Sequence, residues 1–236
     1  MKGIILAGGR GTRLHPMTKA TNKHLLPVGR EPMIYHAVHR LEETGIKEIL
    51  VITSTEFMGD IVRCLGSGED LGVNFTYKVQ EKPLGIAHAL ALAENFAAGE
   101  KICVMLGDNI FASSIIDVAR NFGEQETGAR VVLRKVDSPE RFGVAALDVH
   151  HVIEIQEKPT KPKSNYAVIG LYFYDAQVFD IIRGLEFSER GELEITAVNN
   201  AYIAREQLEF DFFNATWMDT GTPESWFEAN RMLFVR

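Results

Sequence analysis

Apolar residues along this chain fall into two rhythms. Short unbroken runs bounded by glycine or charge, at Ile4-Ile5-Leu6-Ala7, Glu48 to Thr53, Val73 to Val79 and Ile102 to Leu106, predict strands. Between them Pro32 opens a stretch in which Ile34, Ala37, Val38 and Leu41 fall at i, i+3, i+4 and i+7, with Gly45 as the stop. That spacing puts one apolar stripe on a helix. Phe57 to Leu65 and Gly85 to about Phe96 predict two more helices. Strand and helix alternate, which predicts a parallel, doubly wound sheet in the first half.

The second half changes rhythm. Ala129 to Lys135, Gly143 to Leu147, Val152 to Gln156 and Ala167 to Tyr174 predict strands with little helix between them. Helices are predicted at Gln177 to Ile182, Glu194 to Ala204 and Pro223 to Leu233. No shift in composition marks a linker and no fixed-period repeat is present. Gln-Glu-Lys-Pro occurs at 80–83 and again at 156–159, but the flanks differ. The expected architecture is α/β: one domain over residues 1–236, on a mixed, mostly parallel sheet flanked by helices.

Composition narrows the function. With 236 residues, 46% hydrophobic and 24% charged, the chain carries enough apolar material for a sizeable core, which excludes disorder. A net charge of −7 argues against a nucleic-acid binder. No apolar run approaches a membrane span or a signal segment. Cys64 and Cys103 are too few for a disulfide framework, so a reducing cytoplasm is expected. Charge is uneven, however: residues 1–30 hold six Lys or Arg and no Asp or Glu. A basic segment around a glycine-rich loop in an acidic protein suggests a small polyanion as ligand.

That loop, Gly8-Gly9-Arg10-Gly11-Thr12-Arg13, follows the first predicted strand. Glycines let backbone N–H groups turn toward phosphate oxygens, and Arg13 adds a charged donor. A purely structural turn is the alternative. The loop lacks the Gly-Lys-Ser/Thr of a Walker A motif, and Leu14 stands where a dinucleotide fingerprint needs its third glycine. Other candidates are ambiguous alone. Lys23 reads as a surface lysine, Gln80 as a polar strand end, Asp108 and Asp219 as turn or cap residues, and Glu157, Lys158 and Arg190 as solvated charge. No serine-hydrolase elbow and no Cys-x-x-Cys or His-Glu-x-x-His zinc motif occurs. His36 and His39 lack a third ligand nearby, and His150-His151 reads as a hairpin turn.

Taken together, the ordered segments Leu6-Ala7-Gly8-Gly9-Arg10-Gly11-Thr12-Arg13-Leu14-His15-Pro16-Met17-Thr18 and Asn22-Lys23-His24-Leu25-Leu26-Pro27-Val28 resemble the signature of sugar-phosphate nucleotidyltransferases. Within that family the resemblance, over essentially the whole chain, is greatest to the thymidylyltransferases acting on glucose 1-phosphate. It implies a Rossmann-like sheet with a nucleotide-binding half over about 1–110 and a sugar-phosphate half over about 111–236. It also implies transfer from dTTP to glucose 1-phosphate, giving dTDP-glucose and pyrophosphate, with Mg²⁺ as cofactor.

Residue by residue, the resemblance implies that Leu6, Gly8, Gly9, Gly11, Thr12, Arg13, Lys23, Gln80, Pro83, Gly85 and Asp108 bind the nucleotide. Gln80 would read the base through its amide, which both donates and accepts. Arg13, Lys23 and Asp108 are implied as catalytic, and Asp108 with Asp219 as the Mg²⁺ ligands. Asn109, Gly143, Glu157, Lys158, Val168, Tyr172 and Arg190 are implied to bind the sugar phosphate. The chain departs from the family at His88, where thymidylyl members often have Gln, and at Phe142, where Tyr is common. UTP in place of dTTP stays open, as does a non-catalytic sensor of sugar nucleotides. The chain stops soon after Trp217-Met218-Asp219-Thr220-Gly221-Thr222, like a short form, so an end-product feedback site is expected to be missing or altered. A homo-oligomer is left open.

Overall fold

The computed structural model describes residues 1–234. β1 (Lys2–Ala7) is the first apolar run, buried from Gly3 onward. Single turns of 3₁₀ helix at Thr12–Leu14, Met17–Lys19 and Lys23–Leu25 carry the chain onward to the short hairpin of β2 (Pro27–Val28) and β3 (Glu31–Pro32). α1 (Met33–Glu43) buries the predicted stripe of Ile34, Ala37, Val38 and Leu41. Pro32 caps this helix from outside it, in an extended conformation that asks for no N–H. Beyond Thr44, Gly45 takes a φ of 83°, the left-handed geometry that ends helices cheaply. β4 (Glu48–Ser54), α2 (Met58–Leu65) and β5 (Asn74–Gln80) complete the alternating pattern.

The helix expected from Gly85 to about Phe96 is two helices, α3 (Ile86–Ala91) and α4 (Glu94–Ala97). The N–H groups of Leu92 and Ala93 bond three residues back, to Ala89 and Leu90, which tightens the chain between them. Then come β6 (Ile102–Leu106), β7 (Asn109–Phe111), α5 (Ile116–Glu124), β8 (Ala129–Lys135), β9 (Gly143–Leu147), β10 (Val152–Glu157) and β11 (Tyr166–Tyr174). The chain closes with α6 (Gln177–Arg183), α7 (Ile195–Ile203), β12 (Leu208–Phe212), β13 (Trp217–Asp219) and α8 (Pro223–Phe234). β7, β12, β13 and α5 are the larger elements that the sequence pattern does not predict.

The chain packs into two compact units built from interleaved segments. The loop unit comprises Lys2–Pro83, Met105–Asp117 and Ala215 onward; the strand unit comprises Leu84–Val104 and Val118–Asn214. In the loop unit β1, β4 and β5 run parallel, with Ala7 beside Thr53 and Ser54 beside Gln80. Their carboxyl ends therefore meet at the glycine loop, which is where parallel α/β sheets bind ligands. β13 pairs antiparallel with β7, setting Asp219 opposite Asn109. A buried cluster of Leu14, Leu26, Val28, Met33, Ile110 and Ala229, with Trp226 and Leu233 against it, packs α8 under the loop segments.

The strand unit is mostly antiparallel, in the order β10-β9-β11-β8-β12, with β12 alone parallel to its neighbour β8. Its interior is aromatic and polar at once. Tyr174 stacks on Tyr202 at 5.8 Å, and their hydroxyls donate to Asn199 (2.7 Å) and Asp175 (2.8 Å), so neither phenol is buried unpaired. Neither cysteine is in a disulfide. Among the described residues no helix is long and apolar enough to cross a membrane.

Candidate active site

The glycine loop is open because it must make room for side chains. A Cβ added at Gly8 would lie 3.0 Å from Oε1 of Gln80, and one at Gly9 would lie 3.1 Å from Cε of Lys23. Gly11, at φ 64°, would place its Cβ 3.1 Å from Cβ of Lys23. The structure thus brings Gln80 and Lys23 against the loop, 72 and 14 residues downstream of Gly8 and Gly9. Leu6 is buried in β1, and its carbonyl accepts from Gly107 N–H (3.0 Å). Thr12 and Arg13 are exposed in the first 3₁₀ turn, and Pro83 is exposed beyond β5.

Lys23 is fixed from beneath by two residues that the sequence does not single out. Asn22 is fully buried; its amide donates to Ala7 O (3.3 Å), and its Oδ1 accepts both the N–H (2.8 Å) and Nδ1 (2.6 Å) of His24. Asn ahead of a turn is the sequence signal for such a cap. His24 is buried as well. Burial foremost, then the neighbouring Lys23 charge, pushes its imidazole down to about 3 against an opposing pull from Asp108.

Lys23 Nζ donates to Oδ2 of Asp108, an ion pair whose side chains are only 12% and 11% exposed. Burial pushes the Asp108 carboxyl up, but the Lys23 ammonium and hydrogen bonds from Lys23 and Asn109 prevail and hold it below the usual carboxylate range. Asp219 goes the other way: burial first, then the Asp108 charge, raises it, against Lys23, Arg13 and the Gly221 N–H. Thr220 ties the two together, its N–H (3.0 Å) and hydroxyl (2.7 Å) both donating to the Asp108 carbonyl. Arg13 closes the group. A Cβ at Gly221 would meet Arg13 Nη2 at 2.6 Å and Asp219 Oδ1 at 2.9 Å, so a larger residue there would require these side chains to shift.

A buried carboxylate, Asp108, beside a half-buried one, Asp219, offers hard oxygen donors that suit Mg²⁺, which takes few protein ligands and completes its shell with water and phosphate. Among the described residues no group of three or more His, Cys, Asp or Glu side chains is placed to hold a metal ion. Asn109 belongs to this group: its amide donates to Asp108 Oδ1 (3.1 Å) and its oxygen accepts from Trp217 Nε1 (2.8 Å). It sits in the loop unit with the carboxylates, apart in sequence from the other residues expected to take the sugar phosphate.

Those others lie in the strand unit. Gly143 in β9 pairs with Glu157 of β10 on one side and Val168 of β11 on the other, so three residues picked out along 26 positions stand in one row. A Cβ at Gly143 would stand 3.6 Å from Glu157 Oε2, so glycine leaves the face above the carboxylate clear. Lys158 (3.2 Å) and Arg190 (3.4 Å) both pair with Glu157 Oε1. Arg190 also pairs with Glu192 and Glu194, each at 3.3 Å. Thr196, which the sequence reading missed, donates its hydroxyl to Glu157 Oε2 (2.6 Å). Tyr172 lies instead in the aromatic interior, 4% exposed and stacked on Tyr174 at 6.2 Å, beyond a register shift in β11. Gly85, at φ 102°, lets the start of α3 close on Leu193: Ala87 N–H donates to Leu193 O (3.1 Å) and Leu193 N–H to Leu84 O (2.8 Å).

The family model described as nucleotidyl transferase matches residues 2–234. A glucose-1-phosphate thymidylyltransferase of Xanthomonas campestris pv. campestris is 46% identical over 232 residues, 97% of this chain and 79% of that protein. A crystal structure from Bacillus anthracis, assigned as a glucose-1-phosphate thymidylyltransferase and in complex with sucrose, superposes with a TM-score of 0.96 at 53% identity. It covers 99% of this chain and 95% of that one. A UDP-glucose pyrophosphorylase complexed with UDP-glucose shares the fold at a TM-score of 0.88 but only 23% identity, over 99% and 98% of the two chains.

Proposed function

The chain belongs to the nucleotidyl transferase family, and from that premise we propose that it transfers a thymidylyl group from dTTP to α-D-glucose 1-phosphate, releasing dTDP-glucose and pyrophosphate. The observation that carries the reading is the gathering of Arg13, Lys23, Asp108 and Asp219 at the glycine loop, two cations beside one buried and one half-buried carboxylate. That arrangement suits a polyphosphate with a divalent ion. The thymidylyl preference is supported by the names of the relatives at 46% and 53% identity.

In this reading the loop glycines present backbone N–H groups to the triphosphate, while Lys23 and Arg13 take up charge as pyrophosphate leaves. Gln80, against Gly8, offers an amide that pairs with the N3–H and O4 edge of thymine. Glu157, set by Thr196 and flanked by Lys158 and Arg190, accepts from the glucose hydroxyls, and the two cations take the sugar's phosphate. Asp108 and Asp219 would hold Mg²⁺, which when bound supplies charge neutralisation at the phosphates. The phosphate oxygen of the sugar attacks the α-phosphorus in line, with no covalent enzyme intermediate. Catalysis then consists of aligning two anions that repel each other and compensating the charge that develops on the leaving group.

Pyrophosphate release measured over a matrix of nucleoside triphosphates and sugar 1-phosphates tests the proposal. dTTP with glucose 1-phosphate should give the highest kcat/KM. A higher value with UTP would overturn the base assignment, and release with no pair would overturn the activity.

A further inference from the structure

Building on the metal assignment proposed above, we infer that Lys23 is a built-in counter-ion for Asp108, exchanged for the metal only when a triphosphate takes over its ammonium. The metal then enters with the nucleotide and binds poorly by itself. Lys23 Nζ is bonded directly to Asp108 Oδ2, and both side chains are almost entirely out of water. A divalent ion brought to Asp108 meets that ammonium at contact distance, where a buried setting screens like charges weakly. Displacing the ammonium without a new partner would leave a buried cation uncompensated, which is strongly unfavourable.

The exit for the ammonium is set by the loop. The Lys23 stem runs along the glycines, with Cε and Nζ 3.1 and 3.3 Å from a Cβ position at Gly9 and Cβ 3.1 Å from one at Gly11. Asn22 and His24 hold the turn that carries it. A phosphate oxygen cradled by the loop is therefore within the compass of the same ammonium that Asp108 now engages. Arg13 and Asp219 also lie close to one another, both beside Gly221. Lys23 and Arg13 are both proposed phosphate ligands. Drawing the Lys23 ammonium onto phosphate frees Asp108. By thermodynamic linkage, metal and triphosphate then strengthen each other's binding by the same factor.

The test uses Mn²⁺ alone, titrated into nucleotide-free protein and read by electron paramagnetic resonance of the free ion. Lys23→Gln should bind Mn²⁺ at least about tenfold more tightly than the unsubstituted protein, about 1.4 kcal/mol. Lys23→Arg, which keeps the charge, should stay weak, and the gain should vanish in Lys23→Gln/Asp108→Asn. Lys23→Met, with the same stem length, provides the comparison should the Gln variant not fold. Unchanged affinity in Lys23→Gln, with loss on Asp108→Asn, would overturn the counter-ion role while leaving the metal site standing. Affinity indifferent to Asp108→Asn in every background would overturn both.

Discussion

Protonation of His24 should set the acid limit of this protein's stability. The imidazole is 1% exposed and its Nδ1 faces the Asn22 amide oxygen, which can only accept, so Nδ1 carries the proton and Nε2 is bare. Adding a second proton would put a cation in a dry site beside Lys23, and the folded-state value falls from 6.5 to about 3. The sign follows from linkage. Below pH 6.5 the unfolded chain gains a proton that the folded chain refuses, so stability is full above that value and declines as pH falls toward 3. At about pH 5 the deficit is about 1.5 pH units at about 1.4 kcal/mol each, or about 2 kcal/mol. Urea unfolding of the wild type and of His24→Asn, at about pH 5 and about pH 7.5, measures it. Asn keeps a donor where Nδ1 stood and does not titrate, so its packing loss is the same at both pH values. The wild type should lose about 2 kcal/mol more than the variant between the two conditions. Equal losses would refute the account, because every other titrating group is common to both proteins.

Three further outcomes follow from the site. Asp108→Asn keeps the side-chain shape but removes the charge opposite Lys23 and half of the proposed metal site; pyrophosphate release at saturating Mg²⁺ should drop by at least about 100-fold with the fold intact by circular dichroism, and a near-native rate would argue against the metal role. Thr196→Val takes away the hydroxyl that orients Glu157; KM for the sugar 1-phosphate should rise about tenfold, with Thr196→Ser restoring it and KM for the nucleotide unmoved. Gly85→Ala forces a Cβ into left-handed backbone and to 2.8 Å from Leu193 N; chemical denaturation should register a loss of about 2 kcal/mol or more, and an unchanged midpoint would show that α3 can shift away from Leu193.

The apolar pattern carried the regular part of the fold well. β1, β4 and β6 are unbroken buried runs, and α1 wears its buried stripe at helical spacing, so each declares its partner face locally. α5 escaped notice because its buried face is only Val118, Ala119 and Phe122 between charged residues. β12, Leu-Glu-Phe-Asp-Phe, buries Leu208 alone and owes its strand form to pairing with β8 across some eighty residues of chain. The stretch from Thr12 to Leu25 has no period at all; its 3₁₀ turns are held by side-chain bonds such as Thr18 Oγ1 to Gly11 O (2.7 Å).

The site divides along the same line. The sequence alone determined the chemistry on offer: a glycine loop in a basic, acid-free segment, an amide at the end of a strand, and carboxylates after apolar runs. These follow from residue type and local spacing, which are written in order along the chain. What only the tertiary structure decided is which charge meets which. Lys23 reaches Asp108 across 85 residues, Thr220 reaches Asp108 across 112, and Thr196 reaches Glu157 across 39. It also sent Tyr172 into the interior and Asn109 to the carboxylates. Such pairings depend on strand register and on what else is buried nearby. Electrostatic strength depends on distance and exclusion of water, and neither quantity exists until the chain has folded.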